Sequence, residues 1–369
     1  MLSYRKLAMR VLGRPLHTGD SGSPRPASQR AAAFILTAIM LTSLTAPAFA
    51  KTWCIEDGNI TVKAGDTGND VTQKGETTYG DTDTIITNQN KDIASSNTVT
   101  IETNDKNDKV EVTLKDVNIN VGSDSGSALT SNGDVTLTLK GDNSLTGGNG
   151  GSGISSNGSL TITGGENDSL TAKGGSGRSG IFSSGGVTIS GGTVTATGGK
   201  SGSGDYSNGG NGISSSGSLS ISGGTVTATA GSSSGSYGRD GITTSSSLTI
   251  SGGTVTANGG SGSYRGGSGI SSSDIELSGS LELTAKAGSP NGKALSQNGI
   301  ELDPNTFKEK LDPGANIITK DADGKVIDQV SSPRPVEPEG PVIPEESSSS
   351  SDSGSSTPSA DGGSATPSA

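Results

Sequence analysis

The side chains with chemistry to offer are few, and they are gathered. Beyond its first fifty residues the chain has four tyrosines, and three of them, Tyr206, Tyr237 and Tyr264, lie in glycine- and serine-rich segments. Three of the four arginines of that region, Arg178, Arg239 and Arg265, lie in segments of the same kind, with Asp205 and Asp240 beside them. Tyrosine rings present flat faces to the C–H groups of a sugar, while arginine and aspartate hydrogen-bond hydroxyls or carboxylates. A row of such groups suits an extended polysaccharide. Tyr206, Tyr237, Tyr264, Arg239, Arg265, Asp205 and Asp240 are therefore the candidate carbohydrate-binding residues. The same side chains would also serve to pin glycine loops onto whatever lies beneath them.

Other chemistries are poorly provided for. The sole histidine, His17, and the basic residues Arg5, Lys6, Arg10, Arg14, Arg25 and Arg30 all lie before or at the edge of an apolar run, Ala31–Leu44. That run is short for a membrane span. It ends in Ala48-Phe49-Ala50, a small-residue cleavage pattern. The segment reads as a secretory leader cut after Ala50, which implies an exported protein with no membrane insertion afterwards. The leader takes six of the 26 basic residues and one of the 37 acids, so the mature chain carries −16. Such a charge disfavours nucleic acid as a partner. Without histidine, and with Cys54 alone, a zinc site or a His-based triad is excluded. Carboxylates are sparse in the middle of the chain. Asp274 and Glu276 flank Ile275 and so share an outer face, the one arrangement that could hold a cation.

What would position the loop residues is a repeat. Aligned on a Gly-Ile step, copies begin at Gly153, Gly180, Gly212, Gly241 and Gly269, spaced 27, 32, 29 and 28 residues apart. Weaker copies flank them at Ala128-Leu129 and Ala294-Leu295. A period in this range marks a solenoid or an array. Each copy holds three short extended pieces, as in G-I-S-S, S-L-S-I-S and T-V-T-A-T, and the last two alternate apolar and polar residues as half-buried strands do. Gly-Gly pairs at Gly191-Gly192, Gly223-Gly224 and Gly252-Gly253 mark corners.

The apolar positions form columns, such as Ile154, Ile181, Ile213, Ile242 and Ile270. A fourth column is expected to run Leu170, Val194, Val226, Val255 and Leu281. A fifth runs Ala172, Ala196, Ala228 and Ala257, with Leu283 replacing alanine in the last copy. One coil buries too little to stand alone. Coils stacked about 4.8 Å apart pair their backbones and bury each column end to end. The expected fold is all-β: a right-handed parallel β-helix, a solenoid, with a disordered C-terminal tail. The length variation falls between T-V-T-A-T and the next Gly-Ile, in loops 174–179, 198–211, 231–240 and 259–268, which would emerge along one edge. Outward threonines such as Thr193, Thr195 and Thr197 recur on the third piece, where threonine is also the ordinary choice for a solvent face.

The stretches GVTISGGTVTATGG (186–199) and GSLSISGGTVTATAG (217–231), and IEDGNITVKAGDTGNDVTQ near the start (55–73), resemble repeats of secreted surface proteins of gut Firmicutes. The pattern also resembles the bacterial "carbohydrate-binding domain-containing" β-helix family, over about residues 98–302. That resemblance implies a fold similar to pectate lyases, with polysaccharide and calcium bound rather than a substrate cut. No calcium ligand of the family maps onto a particular residue of this chain.

The reading that follows is a leader (1–50), an N-terminal region (51–97), β-helix repeats (98–302), a cap (303–330) and a Pro/Ser-rich tail (331–369). Strands are expected at 59–63, 84–87, 98–102, 109–115 and 117–121, helical turns at Pro304–Leu311, and a hairpin turning at Asp323-Gly324. The expected function is non-catalytic binding of an extended polysaccharide along the loop edge. The alternatives are a structural surface stalk or adhesin, and a polysaccharide lyase or glycosidase.

Overall fold

The computed structural model describes residues 49–103, 109–201, 208–234 and 237–333. The expected tail, together with Asp205, Tyr206 and most of the leader, lies outside the described residues.

The chain forms a parallel β-solenoid of about seven turns. A representative coil consists of the strands Ile213–Ser215, Leu219–Ile221 and Thr225–Thr229. Each strand pairs in parallel with its counterpart in the coils before and after, giving three sheets that run the length of the molecule. In the last two coils the second and third strands merge into Ser247–Asn258 and Asp274–Lys286.

The isoleucine column is in register from end to end, through Ile60, Val99, Leu129, Ile154, Ile181, Ile213, Ile242, Ile270 and Leu295. These residues are at most 1% exposed, so the column is a continuous apolar rod. At the corner between the second and third sheets only the second glycine of each pair is left-handed, with φ of +79° at Gly192, +80° at Gly224 and +81° at Gly253. That backbone conformation suits glycine because a Cβ there is strained.

The alanine column departs from expectation at its end. Leu283 pairs with Val255 and Ala285 pairs with Ala257, so alanine is kept and no leucine replaces it. The last coil carries one extra residue at its corner. The surplus is taken up by a register shift between Ile250 and Gly252, with Gly279 at φ +71°. Leu281 consequently lies opposite Gly253 rather than Val255, and it is fully buried as an additional core residue.

A polar column also runs through the core. From Leu129–Asn132 to Ile270–Ser272 the column residue and the hydroxyl residue two positions later both point inward, giving a buried row of Ser131, Ser156, Ser183, Ser215, Thr244 and Ser272. Most of these hydroxyls are satisfied at corners, whereas Ser131 Oγ donates to Ser156 Oγ at 2.8 Å. Ser183 Oγ donates to the carbonyls of Gly158 (2.8 Å) and Gly186 (3.0 Å), and Ser215 Oγ to that of Gly217 (2.9 Å). Thr244 Oγ1 donates to the same Gly217 carbonyl. The Gly158 and Gly217 carbonyls each take hydroxyls from two successive coils, while the Gly186 carbonyl also accepts the Leu160 N–H, so the row helps satisfy the backbone at the corners.

The ends differ from the middle. Before the first full coil, Ile60–Gly65, Gly68–Gln73 and Glu76–Thr87 form an antiparallel meander, and Phe49–Cys54 pairs in parallel with Glu76–Thr87. Of these, the strands at 49–54 and 68–73 carried no repeat and were not expected. The last coil is covered by a 3-10 helix, Pro304–Lys310, which buries Phe307, and by the hairpin Asn316–Lys320/Val326–Ser331. The hairpin turns where Asp321 Oδ1 accepts the Lys325 N–H at 2.8 Å, as an ordinary aspartate turn.

Candidate functional site

The loops between the third and first sheets do emerge along one edge, and their bases are close-packed. Gly199 N–H donates to the Arg178 carbonyl, Gly210 N–H to Gly199 and Gly231 N–H to Gly210, each at 2.8 Å. Gly260, Gly267 and Gly288 continue the same staircase from Arg239 in the later coils. Both legs of each loop are thus hydrogen-bonded to one another and to the coils on either side. A Cβ on Gly199 would stand 1.7 Å from the Gly175 oxygen, and one on Gly210 would stand 1.8 Å from the Arg178 oxygen. Glycine is required here for close approach of backbones, and the loop bases are rigid. Farther out, Tyr237 pairs with Arg265 in a parallel bridge, with Gly238 N–H donating to the Arg265 carbonyl at 2.7 Å. The loops therefore prolong the parallel stacking of the coils.

On this scaffold the candidate residues separate into three kinds. Tyr237 and Tyr264 come together from adjacent loops, with ring centroids 5.8 Å apart and planes at 75°, and are 54% and 70% exposed. Such edge-to-face contact steadies two rings while leaving them open to solvent. Asp240 is a pinning residue. Its Oδ1 accepts the Ser268 N–H at 2.6 Å, just as Asn211 Oδ1 accepts the Asp240 N–H at 3.0 Å in the coil before. Burial raises the Asp240 pKa above its ordinary value, opposed by the Ser268 hydrogen bond and by the positive charges of Arg239 and Arg265. Arg239 lines a cleft on the other flank of the loop base.

That cleft, about 390 Å³ in volume, lies over the outer face of the first sheet. Its floor is Phe182, flanked in register by Ser155 and Ser214 from the neighbouring coils. Arg178 and Arg239 line it, with Asn211 and the backbones of Gly177, Gly209 and Gly210, and among the described residues its lining contains no carboxylate. Phe182 was not among the expected site residues. The sequence did carry its signal: G-I-F-S stands where other repeats read G-I-S-S or G-I-T-T, so a ring takes the place of a small outward hydroxyl.

Arg178 and Arg239 hold the position three residues before the column isoleucine, which is glycine at Gly126, Gly151, Gly210 and Gly267. They stand two coils apart, about 10 Å at ordinary strand spacing. Among the described residues neither guanidinium forms an ion pair. A second groove, about 860 Å³, lies on the third-sheet side of the loops and is lined by Thr146, Thr197, Thr229, Lys173 and Lys200, again without a carboxylate.

The calcium implied by the family resemblance finds no cage of acids. Among the described residues no three Asp, Glu, His or Cys side chains converge, whereas calcium takes six to eight oxygen ligands and usually several carboxylates. Asp274 and Glu276 do share the outer face, and Glu276 is paired with Lys310 at 3.4 Å. Comparison with protein-family models, with curated proteins and with solved structures finds no match to this chain.

Proposed function

We propose that the protein is a secreted, non-catalytic β-helix that binds an extended glycan along its loop edge, and that the glycan is acidic. One observation carries this reading: the partly exposed ring of Phe182 in a cleft lined by Arg178 and Arg239, with no ion pair to either guanidinium and no carboxylate in the lining among the described residues, on a chain that is otherwise strongly negative. A ring face takes the C–H face of a sugar, and a guanidinium takes a carboxylate through two parallel hydrogen bonds. Because Arg178 and Arg239 sit at equivalent positions two coils apart, they match one negative group per disaccharide rather than one per sugar. Tyr237 and Tyr264 extend the aromatic surface along the same edge.

The test is a binding assay on the full chain with hyaluronan oligosaccharides, which carry one carboxylate per disaccharide, and with their neutral methyl esters. The expected result is at least tenfold tighter binding of the acid form. Arg178→Gln plus Arg239→Gln should abolish that preference, and Phe182→Ala should weaken both ligands. Binding lost in Tyr237→Ala plus Tyr264→Ala but kept in Phe182→Ala would move the site to the loop tips. If no glycan on a broad array is bound, the proposal fails and the inert surface spacer takes its place.

A further inference from the structure

Asp81 is fully buried, yet no cationic side chain meets it. Its Oδ2 accepts the Trp53 Nε1–H at 2.8 Å, and its Oδ1 accepts the backbone N–H of Lys51 at 3.1 Å and that of Asp83 at 3.4 Å. Among the described residues the ion pairs are Lys74–Asp57, Lys91–Asp142, Lys140–Asp168 and Lys310–Glu276, none of which involves Asp81. The Lys51 side chain itself engages other partners: its Nζ lies 3.6 Å over the Trp53 ring and 3.4 Å from Thr78 Oγ1. A carboxylate taken out of water is costly unless a charge answers it.

The answering charge is built into the sequence. The nitrogen that meets Asp81 Oδ1 belongs to Lys51, the residue after the Ala48-Phe49-Ala50 cleavage pattern. We infer that Asp81 is the binding site for the α-ammonium group that leader removal creates at Lys51. Hydrolysis of the Ala50–Lys51 bond by a leader peptidase adds water across the C–N bond. The new carboxylate departs on Ala50, and the freed amine takes a proton. An α-amine has a pKa near 7.7–8.0, so it is largely charged at neutral pH, more so beside a carboxylate. One neutral N–H donor at 3.1 Å thereby becomes a cation with three N–H groups.

The consequence is that processing completes the first coil. In the leader-bearing chain the strand Phe49–Cys54 meets the buried Asp81 carboxyl with no ion pair to it among the described residues, and it is paired on one side only, to Glu76–Thr87. After cleavage, Lys51 is held by its main-chain nitrogen on Asp81 and by its side chain on Trp53, the first core residue of the coil. The exposed end of a solenoid is where fraying begins, so tightening it after export protects the whole stack. This inference rests on the leader reading and is independent of glycan binding.

Trp53 is the only tryptophan of the chain, so its fluorescence reports this site alone. The exported protein, its first residue checked by mass spectrometry, is compared in urea with the same chain carrying a Gly-Ser extension before Lys51, each with and without Asp81→Asn. The expected result is that the chain starting at Lys51 opens around Trp53 at least tenfold less readily than the extended chain, and that Asp81→Asn erases the difference. The inference is overturned if the extension has no effect, if its effect persists in Asp81→Asn, or if the exported protein begins at another residue. Should Asp81→Asn fail to fold, acylation of the α-amine decides: at least tenfold slower reaction in the folded than in the unfolded chain supports the ammonium site, and equal rates overturn it.

Discussion

Gly210 and Gly126 hold the same place in their coils, three residues before Ile213 and Leu129. Their surroundings differ sharply. A Cβ on Gly210 would stand 1.8 Å from the Arg178 oxygen and 2.2 Å from its carbonyl carbon. A Cβ on Gly126, at the end of the glycine staircase, would meet only Val121 Cγ1, at 4.0 Å. Neither glycine has a positive φ, so the contrast is purely one of space. An ordinary contact would require the Gly210 backbone to retreat by more than about 1 Å, between coils that hydrogen bonds hold about 4.8 Å apart. Gly210 N–H donates to Gly199 and its carbonyl receives the Gly231 N–H, both at 2.8 Å, so retreat breaks the ladder on two sides. Overpacking alone costs about 1–3 kcal/mol, and each buried backbone group left unpaired adds about 1–3. Gly210→Ala is therefore expected to lose at least 3 kcal/mol, while Gly126→Ala should be neutral or gain up to about 1 kcal/mol from a stiffer unfolded chain. Urea unfolding followed by circular dichroism measures both, with the midpoint and slope fitted separately because long stacks need not unfold in one step. If Gly210→Ala proves as mild as Gly126→Ala, the glycine content of this chain is not set by coil-to-coil contact and the rigidity of the loop edge fails with it.

Two further predictions follow from the core and the loop base. Ser183→Ala should cost about 0.5–1.5 kcal/mol in the same assay, because its hydroxyl bonds are lost while the Gly158 carbonyl keeps Ser156 Oγ and the Gly186 carbonyl keeps the Leu160 N–H, whereas Ser184→Ala, on the exposed neighbour, should cost nothing measurable. Asp240 has its pKa raised in the fold, so its stabilising contribution is complete below the unfolded value and is lost as pH rises through the folded one. Asn at this position still offers an oxygen to the Ser268 N–H, so the melting temperature of Asp240→Asn relative to wild type should climb as the pH rises above about 4; a difference that is flat or falls with pH contradicts the assignment.

Much of the fold was legible because its signal is periodic. Strand alternation in S-L-S-I-S and T-V-T-A-T, and the return of Gly-Ile at near-constant spacing, specify which residues stack, and the structure places Ile181 over Ile154 and under Ile213. Reading failed where periodicity was interrupted. The corner at Gly279 holds one residue more than the coil before, where the expected pairing implied one fewer, so the partners of Val255 and Ala257 lie two positions on, a slip that alternation cannot distinguish because it returns the same face. The first-sheet serine column was hidden for a chemical reason: a buried hydroxyl and a solvent-facing one look alike in sequence, and only the inward carbonyls of the corner, absent from any pattern, decide between them. Asp240 shows the same limit, because a pinning carboxylate and a sugar-binding one have identical composition and differ only in the N–H they meet.

Of the two roles weighed for the loops, holding the stack together and facing a ligand, the first falls to the backbone and the second, under the proposed function, would fall to other atoms of the same edge. Backbone amides of Gly199, Gly210, Gly231 and Gly267 and the Asp240 carboxylate fix the loop bases to the coils. That work needs no large side chains. It leaves Arg178, Phe182, Arg239, Tyr237 and Tyr264 at or near the surface, on a backbone held in register with the sheets. A side chain on such a base gives up little backbone freedom when a ligand arrives, because the glycine contacts already restrict it. The spacing of Arg178 and Arg239 is then set by the coil repeat itself. A solenoid built this way acts as a ruler: Arg178 and Arg239 stand at a multiple of the strand spacing, and the intervening Gly210, where a side chain does not fit, keeps the gap between them clear.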